Sequence, residues 1–186
     1  GCKFWRAARG CPTLLCFHGN GEIVTDYDEI APRFLERGIN LLVADYRGYG
    51  LSEGRPGLVS LLQDAHRLLA EARRWLRDQR EHGPLFVMGR SLGSLPALEL
   101  ALAHPEEVRG LVLESASADN FRHALHRLGL STAGHPWWEE GHGLLPVERI
   151  RSLLVPTLIV HARYDSLVPL EDARRLYEAC GAPLTR

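Results

Sequence analysis

Short apolar runs alternate along this chain with longer segments of mixed polarity. Thr13-Leu14-Leu15-Cys16-Phe17, Ile39 to Ala44, Leu85 to Met88, Val108 to Leu113 and Thr157 to Val160 are near-continuous apolar stretches of strand length. Continuous hydrophobicity predicts strands covered on both faces. Between these runs the period changes. From Leu58 to Arg80, the residues Leu58, Leu61, Leu62, Ala65, Leu68, Leu69, Ala72, Trp75 and Leu76 form one stripe. Asp64, Arg67, Glu71, Arg74, Arg77 and Asp78 lie off it, which predicts an amphipathic helix lying on a sheet. Asp28 to Arg37 predicts a shorter helix, with Ile30, Phe34 and Leu35 inward and Gly38 as its stop. Leu98 to Ala103 and Leu170 to Ala179 complete the long helices. Lys3 to Arg9 predicts a short strand or a frayed end. Phe121–Leu128 and Pro146–Leu153 predict short helices.

Strands alternating with helices predict an α/β fold: a mostly parallel sheet with helices on both faces. Ligand chemistry in such a sheet belongs at the carboxyl ends of the strands. His18, Asp45, Ser91, Glu114 and Asp165 all fall there. The length predicts one domain over residues 1–186. The irregular stretch 116–154 is expected to be a small cap-like insertion, too short for a large lid. Trp137 and Trp138 within it are candidates to line a substrate pocket, together with Gly21.

The chemistry concentrates at Gly89-Arg90-Ser91-Leu92-Gly93, between a predicted strand and a predicted helix. A serine hydroxyl is a poor nucleophile and must be held where a base can reach it. A sharp strand-to-helix turn does that, and small residues on either side let backbones approach. Ser91 is the candidate nucleophile. Acyl transfer also needs donors for the developing oxyanion, each contributing roughly 3–4 kcal/mol. The Leu92 amide opens a helix and lacks an intrahelical partner. A second donor is expected from His18-Gly19-Asn20-Gly21, with the Asn20 amide first and Gly21 next. His18 itself is expected to fix this loop. Asp165 is the candidate acid and Glu114 its rival, while Asp45 is read as loop-fixing.

With these pieces in order, the chain resembles the α/β-hydrolase superfamily, in its lipase/esterase and serine-aminopeptidase-like branch. The resemblance rests on His18-Gly19-Asn20-Gly21-Glu22, Asp45-Tyr46-Arg47-Gly48-Tyr49-Gly50-Leu51-Ser52, Gly89 to Gly93, and Val155-Pro156-Thr157 through Asp165 to Val168-Pro169. It implies a three-layer α/β-hydrolase fold, Ser91 as nucleophile, Asp165 as acid, and the Asn20 and Leu92 amides as oxyanion donors. Two positions depart from the family: Ala162 stands where glycine is common, and Pro96 sits early in the nucleophile helix. The triad order in this fold is serine, acid, histidine, and no histidine follows Asp165. The expectation is that the terminal strands are incomplete and that a histidine beyond Arg186 supplies the base. His161 is expected to point into the core; His66, His82 and His104 are expected at the surface. His123, His126, His135 and His142, with Glu139 and Glu140, match no zinc spacing.

Composition then narrows the function. The hydrophobic share is 45% and the charged share 24%, enough for a sizeable core. A net charge of −1 gives no global field for nucleic acid. No apolar run approaches the ~20 residues that span a bilayer, and no secretory signal is visible. Cys2, Cys11, Cys16 and Cys180 lack metal spacing and are expected to be free thiols in a reducing, cytoplasmic setting. The predicted activity is a serine hydrolase cleaving a small-molecule ester, thioester or amide through an acyl-enzyme, with no metal or cofactor. The alternative is a non-catalytic binding or assembly protein of the same fold.

Overall fold

The computed structural model describes residues 1–119 and 145–184. Six described strands form one sheet: β1 (Cys2–Trp5), β2 (Thr13–Phe17), β3 (Asn40–Ala44), β4 (Leu85–Arg90), β5 (Leu111–Glu114) and β6 (Thr157–Val160). Their spatial order is β1-β3-β2-β4-β5-β6. Only β1 runs antiparallel, pairing Cys2 with Ala44 and Trp5 with Leu41. The remaining pairs are parallel, with Cys16 set between Val43 and Met88. The described helices are α1 (Ala31–Leu35), α2 (Leu58–Asp78), α3 (Ser94–Ala103), α4 (Pro146–Arg149) and α5 (Leu170–Ala179).

Two cores flank the sheet. On one face Leu15, Phe17, Val87, Leu111 and Leu113 pack with Leu61, Leu69, Leu98, Leu100, Leu153 and Leu176. On the other, Leu14, Cys16, Leu41 and Val43 pack with Val24, Tyr27 and Ala31. Helices on both faces of a mostly parallel sheet are the expected α/β architecture. β2 and β3 are buried throughout, as their continuous apolar runs predict. β4, β5 and β6 instead alternate, with Leu158 and Val160 each 44% exposed. The second face therefore has less described cover beyond β2. Cys16 is fully buried, and burial pushes its thiol up to about 12, against a lowering hydrogen bond from Tyr27. All four cysteines are free.

Several boundaries differ from expectation. The first helix shrinks to Ala31–Leu35, preceded by a 3-10 turn at Val24–Tyr27. Pro32 is the cause: it has no amide to bond backward, so it is accommodated only in a first turn. Ile30 then falls outside the helix and is 45% exposed rather than inward. β5 begins at Leu111 because the Val108 amide still bonds to His104 O at the end of α3 (2.9 Å). Trp75 is 40% exposed. Its ring meets Phe4 edge-on at 5.0 Å, at the outer end of the sheet. The helix stops earlier than expected, with Glu36 as its C-cap; Gly38, at φ 69°, closes the turn that follows. The Leu184 carbonyl accepts the Thr157 amide (2.9 Å), so the chain after α5 comes alongside β6. Among the described residues no helix is long and apolar enough to cross a membrane.

Candidate active site

Ser91 lies where β4 passes into a 3-10 turn, Ser91–Gly93, that leads directly into α3. Its φ is 50°, a left-handed conformation that L-residues with a side chain rarely adopt. The flanking glycines make this turn possible. A Cβ on Gly89 would lie 2.2 Å from the Gly93 carbonyl oxygen, and one on Gly93 would lie 2.0 Å from that of Phe17. Pro96 is the third residue of α3, within its first turn, so its missing amide removes no needed bond. Leu92 sits in the opening turn, where amides have no partner earlier in the helix.

β2 lies beside β4, so the loop after β2 arrives next to the elbow. That loop is tightly held. His18 is completely buried; its Nδ1 contacts Gly19 O at 2.9 Å, and its own carbonyl accepts the Tyr46 hydroxyl at 2.5 Å. Its Nε2 lies 3.5 Å from Asp45 Oδ1, which also accepts the Val24 amide at 2.8 Å. Burial lowers the His18 pKa, against raising contributions from Gly19 O, Asp45 and Asp26. His18 and Asp45 thus fix loops, as the sequence suggests. Gly21 takes φ 80°, and the exposed Asn20 receives the Tyr49 hydroxyl on its Oδ1 at 2.6 Å.

Glu22 was quoted in the sequence motif without a role, and the structure gives it one. It accepts the Gly19 amide (2.9 Å) and the Tyr27 hydroxyl (3.1 Å) on Oε2, and ion-pairs Arg90 through Oε1. Arg90 also lies 3.5 Å from Glu114. One guanidinium therefore joins the elbow, the loop after β2 and the end of β5. Glu114 is engaged in this charge network, which weakens its claim as the acid. The sequence motif gives Arg90 no role; its partners are visible only in three dimensions.

Asp165 follows β6, two strands from Ser91 with β5 between. Its Oδ1 accepts the amides of Leu167 and Val168, each at 2.9 Å. Burial pushes its carboxyl up, but these amides, the Ser115 side chain and nearby His161 outweigh that and hold it below the usual range. Ser115, missed by sequence reasoning, takes φ 48° at the end of β5 and ties its amide to Val160 O (3.0 Å). His161 is inward as expected, with a side chain 2% exposed. Its Nε2 faces Val168 O at 2.9 Å and lies 4.0 Å from Asp165. No histidine among the described residues hydrogen-bonds to Ser91. Trp137, Trp138, His123, His126, His135 and His142 lie outside the described residues, as does most of the 116–154 insertion. A cleft of about 500 Å³ lined by Phe17, Tyr46, Arg47, Leu61 and Asp64 lies away from Ser91.

A mostly parallel sheet with a strained serine elbow at its carboxyl edge defines the α/β-hydrolase fold. Residues 9–136 match the family model described as Serine aminopeptidase, S33, and the chain belongs to that family. An uncharacterized protein of Mycobacterium tuberculosis is 32% identical over 178 residues, which cover 92% of this chain and 59% of that protein. The chain spans about three fifths of the length of the curated relatives it matches. Among solved structures, Est1E from Butyrivibrio proteoclasticus with ferulic acid bound superposes at a TM-score of 0.82 and 19% identity, covering 100% of this chain and 84% of that one. A soluble variant of monoglyceride lipase from Saccharomyces cerevisiae, in complex with a substrate analog, gives a TM-score of 0.76 at 15% identity, covering 100% and 79%. At these identities the likeness is one of fold.

Proposed function

We propose that this chain carries the nucleophile and acid of a serine hydrolase that cleaves a small-molecule ester, thioester or amide. The observation that carries the reading is Ser91 at φ 50° between β4 and α3, a strain that a merely helix-capping serine would not need. The Ser91 hydroxyl oxygen attacks the acyl carbon while a histidine takes its proton. The carbonyl electrons move onto oxygen, held by the Leu92 and Asn20 amides. The tetrahedral intermediate collapses, and the histidine returns the proton to the leaving alcohol, thiol or amine. Water then releases the acid by the same steps in reverse. Asp165 orients the histidine and stabilises its cation. The chemistry requires no metal or cofactor. Free thiols at all four cysteines support a cytoplasmic setting.

A fluorophosphonate probe tests the reading on the natural-length protein. The expected result is stoichiometric labelling that Ser91→Ala abolishes. Labelling equal in both proteins would overturn the assignment of Ser91. No labelling of a folded natural-length protein would favour a binding module of this fold instead.

A further inference from the structure

His161, just past β6, has a buried side chain that bonds in one direction only. Its Nε2 lies 2.9 Å from the Val168 carbonyl oxygen. A carbonyl can only accept, so Nε2 carries a proton. Nδ1 is buried and has no hydrogen-bond partner among the described residues. An unpartnered buried nitrogen is unfavourable, and an apolar side chain would fill the same space without one. What distinguishes the ring is the bond that Nε2 makes.

The Val168 carbonyl needs that donor. Val168 is buried, and Pro169 is the N-cap of α5. The Asp172 amide turns back to Pro169 O (2.9 Å), so Val168 O lies outside the helix and is served by no other described donor. The amide of the same residue goes to the candidate acid: Asp165 Oδ1 accepts the Val168 and Leu167 amides, each at 2.9 Å. Val168 is therefore held on both sides, by His161 through its carbonyl and by Asp165 through its amide. With two amides on Oδ1, Oδ2 is the oxygen left for a catalytic base. It lies 4.0 Å from His161 Nε2, beyond hydrogen-bond reach, so His161 does not compete for it. The Ser115 side chain, at the end of β5, is a further donor to Asp165. A carboxylate has about four lone-pair sites, which leaves room for the base as well.

We propose that His161 is a positioning residue for the acid: by donating Nε2–H to Val168 O it locks the turn from Asp165 to Val168 and fixes the direction in which Asp165 Oδ2 meets the catalytic histidine. The assignment rests on the reading of Asp165 as the acid of a serine hydrolase. His161 touches neither substrate nor reacting atoms; it acts through Val168 and Asp165.

Glutamine and asparagine separate this role from packing. Glutamine places its amide donor near the position of the imidazole Nε2, whereas the asparagine donor falls short of Val168 O. In the natural-length protein, His161→Asn should lower kcat on a chromogenic ester by about 10- to 100-fold with little change in KM, the loss that a misplacement of about 1 Å produces. His161→Gln should recover most of it. Rates are taken per active site, counted by fluorophosphonate labelling, so a smaller folded fraction does not register. The acid limb of kcat/KM reports the catalytic histidine. A misplaced Asp165 stabilises the imidazolium less, so in His161→Asn the limb should move to lower pH; plain destabilisation leaves it in place. Equal losses in the two variants, no loss in either, or an unmoved limb overturns the proposal. Should neither variant fold, the unmodified protein decides: imidazole nitrogen NMR should show a proton on His161 Nε2, and its absence overturns the proposal. Asp165→Asn separates this inference from the reading beneath it. If that variant slows labelling of Ser91 and His161→Asn does not, the positioning role alone falls. If it labels as fast as the unmodified protein, or if the folded natural-length protein is not labelled at all, both fall.

Discussion

Arg90, at the end of β4 beside Ser91, ion-pairs Glu22, and the same carboxylate accepts the Gly19 amide at 2.9 Å. The pair links the turn that would present the nucleophile to the loop that would stabilise the oxyanion. Neither partner needs to touch substrate; both act through backbone position. Arg90→Gln should therefore lower kcat of the natural-length enzyme by about 10- to 100-fold, a fraction of the 10²–10³ lost with a whole oxyanion donor. KM should change little. Arg90→Lys should recover part of the loss, since it keeps the charge but not the planar fork. Steady-state kinetics on a chromogenic ester checks the split. A drop in KM-linked binding with kcat intact would contradict it.

Gly93 has no room for a side chain. A Cβ there would sit 2.0 Å from the Phe17 carbonyl oxygen and 2.7 Å from that of His18. Both neighbours are backbone, at the end of β2 and the start of the loop that follows it, and neither can swing away. Gly93→Ala should lower unfolding stability by about 1–3 kcal/mol or somewhat more, the usual range for overpacking. It should also abolish probe labelling, because relief of the clash displaces β2 or Ser91. Urea denaturation gives the first quantity and fluorophosphonate labelling the second.

The Asp165 carboxyl is held below its ordinary pKa by the Val168 and Leu167 amides, the Ser115 side chain and His161, which together outweigh burial. A depressed carboxyl contributes stability above its unfolded pKa, about 3.9, and loses that contribution as pH falls through the folded value. Asp165→Asn should therefore be less stable than the unmodified chain at pH 7. The gap should narrow as pH falls below about 4. Urea midpoints across that range check it; a gap that widens on acidification would contradict the assignment. Because the amides come from Leu167 and Val168, the loss should also loosen the turn that leads into α5.

β2 and β3 were legible because cover on both faces imposes a continuous apolar run, and such runs are local in sequence; β4, β5 and β6 carry similar runs although their second face has less described cover. The elbow was legible for the same reason, since strand, glycine, serine and glycine are contiguous. What escaped was non-local. His66 and His104 read as surface histidines because nothing in either neighbourhood announces a partner 38 residues away. Arg90 and Glu22 were each in view, but their pairing depends on β2 lying beside β4. Trp75 fell on the apolar stripe of α2 by period, yet the buried line runs through Leu61, Ala65, Leu69, Ala72 and Leu76, which leaves the Trp75 ring on its flank against Phe4. Proline, by contrast, could have been read better. Pro32 lies in the middle of the predicted helix, and its missing amide alone forces the later start.

Ser91 holds a left-handed backbone that costs an L-residue roughly 1–2 kcal/mol relative to the right-handed form. Glycine adopts that conformation without the steric cost, at an entropic penalty of roughly 0.5–1 kcal/mol. Ser91→Gly should therefore be as stable as the unmodified chain or more so, by up to about 1 kcal/mol. Ser91→Ala keeps the Cβ and should gain nothing from relief of backbone strain. Both variants remove the hydroxyl and should be blind to a fluorophosphonate. Ordering the three proteins by urea midpoint separates backbone strain from loss of the hydroxyl: glycine at or above serine, and alanine below glycine. Such an order would mean that the fold gives up stability at this position to hold the hydroxyl in place. A glycine variant clearly less stable than alanine would mean that Ser91 is not strained, and would remove the observation on which its assignment as nucleophile rests.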